Sequence, residues 1–147
     1  FTLVDKVDGI TIVDDYAHHP VEIASVLSAA REAYNGRVIA VMQPHRYTRL
    51  ESLFDEFCAC FNNADTVIVA PVFEAGEQPI EGADQDALVS GLQRSGHRGV
   101  VKIASPEELP KTISEIAENG DLVIYLGAGS VSSWAYALPD ALKEVRT

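Results

Sequence analysis

The sequence predicts an α/β fold: a mostly parallel sheet of about six strands, helices on both faces and an antiparallel hairpin at the amino terminus. Three observations predict it. Short apolar, β-branched runs alternate with helix-length amphipathic stretches along the chain. Arg37–Gln43 and Thr66–Val72 are nearly continuous in apolar residues, the pattern of strands buried on both faces of a parallel sheet. Between the first two runs, Asp8-Gly9 offers a tight turn in which both residues tolerate positive φ, so those strands pair as a hairpin.

Thr2–Lys6 and Ile10–Asp14 alternate as strands about Val7-Asp8-Gly9. Asp14-Asp15-Tyr16-Ala17-His18-His19-Pro20 then joins the second strand to a helix over Pro20–Tyr34, with proline in its first turn. Val21, Ala24, Leu27, Ser28 and Arg31 stand at helical spacing, and Asn35-Gly36 reads as a left-handed stop. Arg37–Gln43, the next strand, runs into Pro44–Arg49 and a helix through about Asn62 that carries Leu53, Phe54, Phe57 and Phe61. Thr66–Val72 is a strand, Phe73–Gly82 a loop, Asp84–Ser95 a helix and Val100–Ala104 a short strand. A serine cap, a first-turn proline and two acids in Ser105-Pro106-Glu107-Glu108 start a helix that runs to about Glu118, where Asn119-Gly120 stops it. Asp121–Leu126 is the last strand, and Gly127–Ser130 leads into a final helix carrying Trp134, Ala137, Leu138 and Leu142 despite Pro139. The pattern is that of one Rossmann-like domain over residues 1–147, without repeats, linkers or low-complexity tracts.

Composition narrows the function. The 147 residues are 47% hydrophobic and 22% charged, the balance of a globular chain with a sizeable core. A formal net charge of −11 argues against nucleic acid and anionic membranes as partners. No apolar run reaches the ~18 residues that span a bilayer, and no signal pattern opens the chain, so a cytoplasmic location is expected. The chain begins at Phe1 within strand-like sequence, which reads as a piece of a longer protein. Cys58 and Cys60, two apart on a helix, point to different faces and read as packed thiols rather than a disulfide.

Three loops leaving the carboxyl ends of strands hold the unusual chemistry: Asp14–Pro20, Pro44–Arg49 and Gly127–Ser130. In an open α/β sheet that edge is where ligands bind. Arg46 and Arg49, three apart at a helix start beside His45, form a cationic spot in an acidic chain and suit bidentate capture of a carboxylate or phosphate. The plainer alternative is a pair of solvated arginines bridging surface acids. Asp14 and Asp15 alternate in direction, so at most one points into a cleft, where it would suit ribose hydroxyls; a capping or turn role competes. His18 and His19 lack the spacing to share a metal ion, so no metal site is assigned. Glu74 and Glu77 read as solvated loop acids, and His97 as a surface loop residue. Gly127-Ala128-Gly129 lacks the third glycine of a dinucleotide loop and implies close backbone approach instead. No phosphate-binding P-loop and no paired catalytic acids are present, so no catalytic residue is assigned.

Together, Asp-Asp-Tyr-Ala-His-His-Pro at 14–20, Gln-Pro-His-Arg-Tyr-Thr-Arg at 43–49, Ala-Gly-Glu at 75–77 and Gly-Ala-Gly-Ser at 127–130 resemble the C-terminal domain of the Mur ligases of peptidoglycan synthesis. The first motif is shared across that superfamily; His-Arg-Tyr-Thr-Arg resembles the branch that joins L-alanine to UDP-N-acetylmuramate. The resemblance covers essentially the whole chain. It implies a three-domain, ATP- and magnesium-dependent ligase whose N-terminal domain holds the UDP-sugar and whose central domain carries the P-loop and the metal. Neither of those domains is in this chain. The resemblance further implies that ATP cleavage drives amide formation through an acyl phosphate, releasing ADP and phosphate.

By position in these motifs, Asp15 resembles the nucleotide-ribose acid. Tyr16, His18 and His45 resemble the walls around the alanine side chain, and Arg46 and Arg49 the contacts to carboxylate and phosphate. The expected partners are L-alanine, ATP, UDP-N-acetylmuramate and the central domain. A pocket closed around a methyl group should leak weakly to glycine and serine. The isolated domain is expected to be inactive. Competing readings are the ligase that recycles murein tripeptide, a stand-alone nucleotide-binding module and, third, a histidine-based metal hydrolase.

Overall fold

The computed structural model describes Phe1–Thr147. Strands β1 (Thr2–Val7) and β2 (Ile10–Asp15) form the expected hairpin, with Asp8 at φ 52° and Gly9 at φ 77° in its turn. Helix α1 (Pro20–Ala33), β3 (Val38–Met42), α2 (Tyr47–Ser52), α3 (Phe54–Ala59), β4 (Thr66–Val69), α4 (Gln85–Arg94) and β5 (Val100–Lys102) follow. A 3-10 turn at Pro106–Glu108 leads into α5 (Leu109–Ile116), then β6 (Leu122–Leu126) and α6 (Ser130–Val145). The six strands lie in the order β1-β2-β6-β3-β4-β5, parallel except for the β1–β2 hairpin.

The strand residues alternate between two cores because successive side chains leave a strand on opposite faces. Val38, Ala40 and Met42 of β3 and Leu122, Ile124 and Leu126 of β6 meet Ile23 and Leu27 of α1, Leu50, Phe57 and Leu88. Ile39, Val41, Val123 and Tyr125 meet Leu109 and Ile113 of α5 and Val131, Ala135, Leu138 and Leu142 of α6. Helices α1 to α4 therefore cover one face and α5 and α6 the other. No helix is long and apolar enough to cross a membrane.

Several local expectations give way to tertiary packing. The helix expected from Arg49 to Asn62 is broken at Leu53, whose φ of −120° and ψ of 25° separate α2 from α3. No proline or glycine causes the break. The turn lays α3 against α4, where the missing side chain of Gly91 leaves space for Cys58 Sγ and the Phe54 ring. Cys58 and Cys60 remain free thiols, yet both are buried in the same core rather than on different faces. Asn35-Gly36 is not a left-handed stop, since neither residue has positive φ and α1 ends in extended backbone at Tyr34. Gly36 is needed instead because a Cβ there would overlap the Gly120 carbonyl oxygen. His97 is half-buried, not free on the surface: Nε2–H donates to Ala64 O at 2.8 Å and Nδ1 accepts from the Gly99 amide at 3.2 Å.

Two acids unremarked in the sequence pin the amino edge of the sheet. Asp121 accepts from the Arg37 amide at 3.1 Å, the Arg37 guanidinium at 2.8 Å and the Glu118 amide at 2.9 Å. Burial pushes its carboxyl up, but these donors outweigh burial and hold it below the usual carboxylate range. Asp65 behaves alike, with burial opposed by Arg31 at 3.0 Å and the Val38 amide at 2.8 Å.

Candidate functional site

Because β6 lies between β2 and β3, the three suspect loops leave neighbouring strands. Asp15, Leu126 and Met42, the last residues of those strands, lie in one register row. The Gly127 amide extends the ladder by donating to Asp15 O at 3.2 Å. Strand order thus gathers the Asp14–Pro20, Pro44–Arg49 and Gly127–Ser130 loops along one stretch of carboxyl edge.

Between the start of α1 and α2 this edge opens into a cleft of about 880 Å³, bounded by His18, His19, Glu22, Arg46, Thr48, Arg49, Ser52 and Leu53. Its first wall is set by a cap. His19 precedes α1, its Nδ1 accepting from the Val21 amide at 3.3 Å while Glu22 Oε1 accepts from the His19 amide at 3.2 Å. This reciprocal arrangement is a capping box, legible in retrospect as His19-x-x-Glu22 before an apolar helix. His19 is thereby held by the helix start. His18 donates from Nδ1 to Tyr16 O at 3.0 Å, which leaves Nε2 without a partner in the chain, and its ring meets Tyr16 edge-on at 5.8 Å.

The second wall is α2. Arg46 precedes it with φ 73° and ψ 140°, a conformation that costs a non-glycine residue about 1–3 kcal/mol. Two hydrogen bonds hold it there: the Arg46 amide donates to Phe73 O and the Phe73 amide to Pro44 O, both at 2.8 Å. His45 stacks on Phe73 with ring centroids 4.9 Å apart. Burial first, then the Arg49, Arg46 and His18 charges, push the His45 imidazole down, which favours its neutral form.

Glu74 and Glu77 are latches rather than idle acids. Glu74 accepts from the Tyr47 hydroxyl at 3.0 Å, and Glu77 from the Thr48 amide at 3.1 Å and hydroxyl at 2.6 Å.

The arginines bridge no acid. Arg31, Arg37 and Arg146 each form an ion pair within the chain, whereas neither Arg46 nor Arg49 makes an ion pair or a side-chain hydrogen bond. Arg94 and Arg98 are also unpaired, at the opposite, amino edge. In a chain of net charge −11, two unpaired guanidinium groups give one cleft wall a cationic character whose chemistry suits an anion.

The remaining candidates separate from the cleft. Asp14 faces α6 and accepts from Ser132 Oγ at 2.6 Å. Asp15 is buried on the opposite face, accepting from the Ala17 amide at 2.9 Å, with Oδ2 2.8 Å from the Phe1 nitrogen. Asp15, exposed Tyr16, Val21 and Val26 border a separate cavity of about 460 Å³ on the other side of the loop. Of the six suspected residues, His18, Arg46 and Arg49 therefore line the cleft, His45 lies beside the arginines, Tyr16 meets the His18 ring at the border of the second cavity, and Asp15 is buried beside that cavity. Gly127 approaches Val131 of the helix that follows it, not an open ligand space, and Gly129 takes φ 76° at the start of α6. No three His, Cys, Asp or Glu side chains are grouped to hold a metal ion.

The fold and this edge define an α/β domain that presents a cationic ligand cleft without a phosphate loop of its own. Residues 1–129 match the family model "Mur ligase, glutamate ligase domain", and the chain belongs to that family. It is 63% identical over 145 residues to the UDP-N-acetylmuramate–L-alanine ligase of Parvibaculum lavamentivorans, covering 99% of this chain and 30% of that protein. The chain thus spans about a third of the length of the curated relatives it matches. Its fold is shared with the UDP-N-acetylmuramate-alanine ligase of Thermotoga maritima, with TM-score 0.75 and 21% identity over 99% of this chain and 30% of that one. A murein peptide ligase from Psychrobacter arcticus shares it too, with TM-score 0.73 and 19% identity over 96% of this chain and 29% of that one.

Proposed function

We propose that residues 1–147 are the C-terminal domain of a three-domain, ATP-dependent ligase that joins L-alanine to UDP-N-acetylmuramate in the bacterial cytoplasm. The observation that carries this reading is the pair of unpaired arginines, Arg46 and Arg49, facing the capped start of α1 across one cleft. The 63% identity over this domain to an alanine-adding ligase favours that substrate over murein tripeptide.

The reaction needs an amine aimed at an activated carboxyl group. Arg46 and Arg49 pin the alanine carboxylate and the transferring phosphate, while His18, Tyr16 and the neutral His45 enclose the methyl group, which leaves the amine directed outward. A carboxylate or phosphate gains charge-assisted hydrogen bonds of about 1.5–3 kcal/mol each from such guanidinium groups when shielded from water. Asp15, beside the second cavity, contacts the ribose of ATP. With no P-loop and no metal-ligating cluster in the chain, phosphate and magnesium are held mainly by the central domain. This chain supplies half a site and is inactive alone.

Phosphate release by the full-length parent protein tests the reading, given ATP, magnesium and UDP-N-acetylmuramate. Release that requires L-alanine supports it, and release that requires murein tripeptide transfers the chain to the recycling ligase. Ligation by residues 1–147 alone contradicts the half-site.

A further inference from the structure

A cavity of about 240 Å³ lies between α5 and α6, on the face of the sheet opposite α1 to α4, and most of its lining is apolar. Leu109 and Pro110 start one wall, Trp134, Leu138 and Ala141 of α6 form the other, and Tyr125 of β6 completes the lining. Tyr125 is fully buried, and its hydroxyl is the one buried side-chain polar atom in the chain without a hydrogen-bond partner. Burial pushes the hydroxyl pKa up, so it stays protonated, able both to donate and to accept. A buried hydroxyl left unpaired is unfavourable, and buried tyrosines ordinarily find a partner. Packing between α5 and α6 accounts for the ring and leaves the hydroxyl unexplained.

We propose that this cavity is a binding site for a small neutral ring compound carrying one hydroxyl or carbonyl oxygen. The ring packs on Trp134 and Leu138, and the oxygen pairs with the Tyr125 hydroxyl. Size sets the ligand class: an apolar cavity of ~150 Å³ holds benzene, so this one admits a single substituted ring and excludes a nucleotide. Charge sets the rest. The one ionised lining residue is Glu107, so no cation is available for an anionic ligand. The site stands independently of the ligase reading.

Trp134 is the only tryptophan, so its emission reports on the cavity. Phenol and toluene, near-isosteric rings with and without the oxygen, are titrated against the chain and against Tyr125→Phe. Both probes should change the emission saturably in the native chain. Tyr125→Phe should retain the native unfolding temperature and lower the phenol-to-toluene affinity ratio about fivefold, the scale of one neutral hydrogen bond. Ala141→Leu, or Ala137→Leu if that variant folds poorly, should abolish both responses by filling the space. An unchanged ratio in Tyr125→Phe, no saturable response to either probe, or undiminished binding in a folded filled variant overturns the proposal.

Discussion

Thr48 and Glu77 are joined twice, the carboxylate accepting from the threonine amide at 3.1 Å and from its hydroxyl at 2.6 Å. The pair ties the loop after β4 to the first turn of α2, the turn that carries Arg49. Those two bonds hold the Glu77 carboxyl below its usual range, so the latch is ionised throughout the neutral region. Glu77 is thus a positioning residue for the cleft. If the full-length parent has the proposed activity, Glu77→Ala in it should raise the KM for alanine about tenfold with little change in the KM for the UDP-sugar, and Glu77→Gln should fall between. Steady-state kinetics with each substrate varied in turn checks the ranking.

The neutral state proposed for His45 is directly observable. Burial and the charges of Arg49, Arg46 and His18 depress its pKa below 6.5. Histidine NMR resonances followed through pH 5 to 8 should show His45 titrating below the ordinary imidazole range. Arg49→Ala should move it upward, because the second-largest cause is removed. No movement would mean that the guanidinium does not face the imidazole.

Asp121 and Asp65 predict how stability depends on pH. Each has a folded pKa below its unfolded value near 4, so each binds its proton more weakly when folded. Their contribution is complete at neutral pH and is lost as pH falls below about 4 through the folded values. Asp121→Asn should cost about 1–3 kcal/mol at pH 7, since it removes a charged acceptor from three donors. The difference from the native chain should shrink toward pH 3, as read by denaturant unfolding at each pH.

Cys58 and Cys60 should resist thiol reagents in the folded chain. Burial pushes the Cys60 thiol up to about 12 and raises Cys58 as well, so little thiolate is present at pH 8. Labelling should be slow in buffer and complete in denaturant. Fast labelling of either residue in buffer would show that the α3–α4 contact opens readily.

The strands were legible because their signal is local: apolar runs of the right length, and an Asp-Gly turn whose φ values follow from its residue types. The loops carrying the cationic residues were legible for the same reason. Strand order was not, since the insertion of β6 between β2 and β3 depends on long-range pairings, Thr11 with Leu122 and Val38 with Leu122; it alone makes the three loops neighbours. The kink at Leu53 left no mark either, because Gly91, which makes room for α3, lies on another helix. The spacing of His18 and His19 excludes a shared metal ion, but it is Glu22, three residues after His19, that marks His19 as a cap. Glu74 and Glu77 looked solvated until α2 was folded against their loop.

The central claim is that Arg46 and Arg49 hold the amino acid and phosphate, and Arg49→Ala in the full-length parent tests it most directly. With ATP and magnesium saturating, L-alanine and UDP-N-acetylmuramate are varied separately and phosphate release is followed. The account predicts a KM for alanine raised about tenfold or more, with the KM for the UDP-sugar changed far less. A larger rise for the UDP-sugar than for alanine would contradict it.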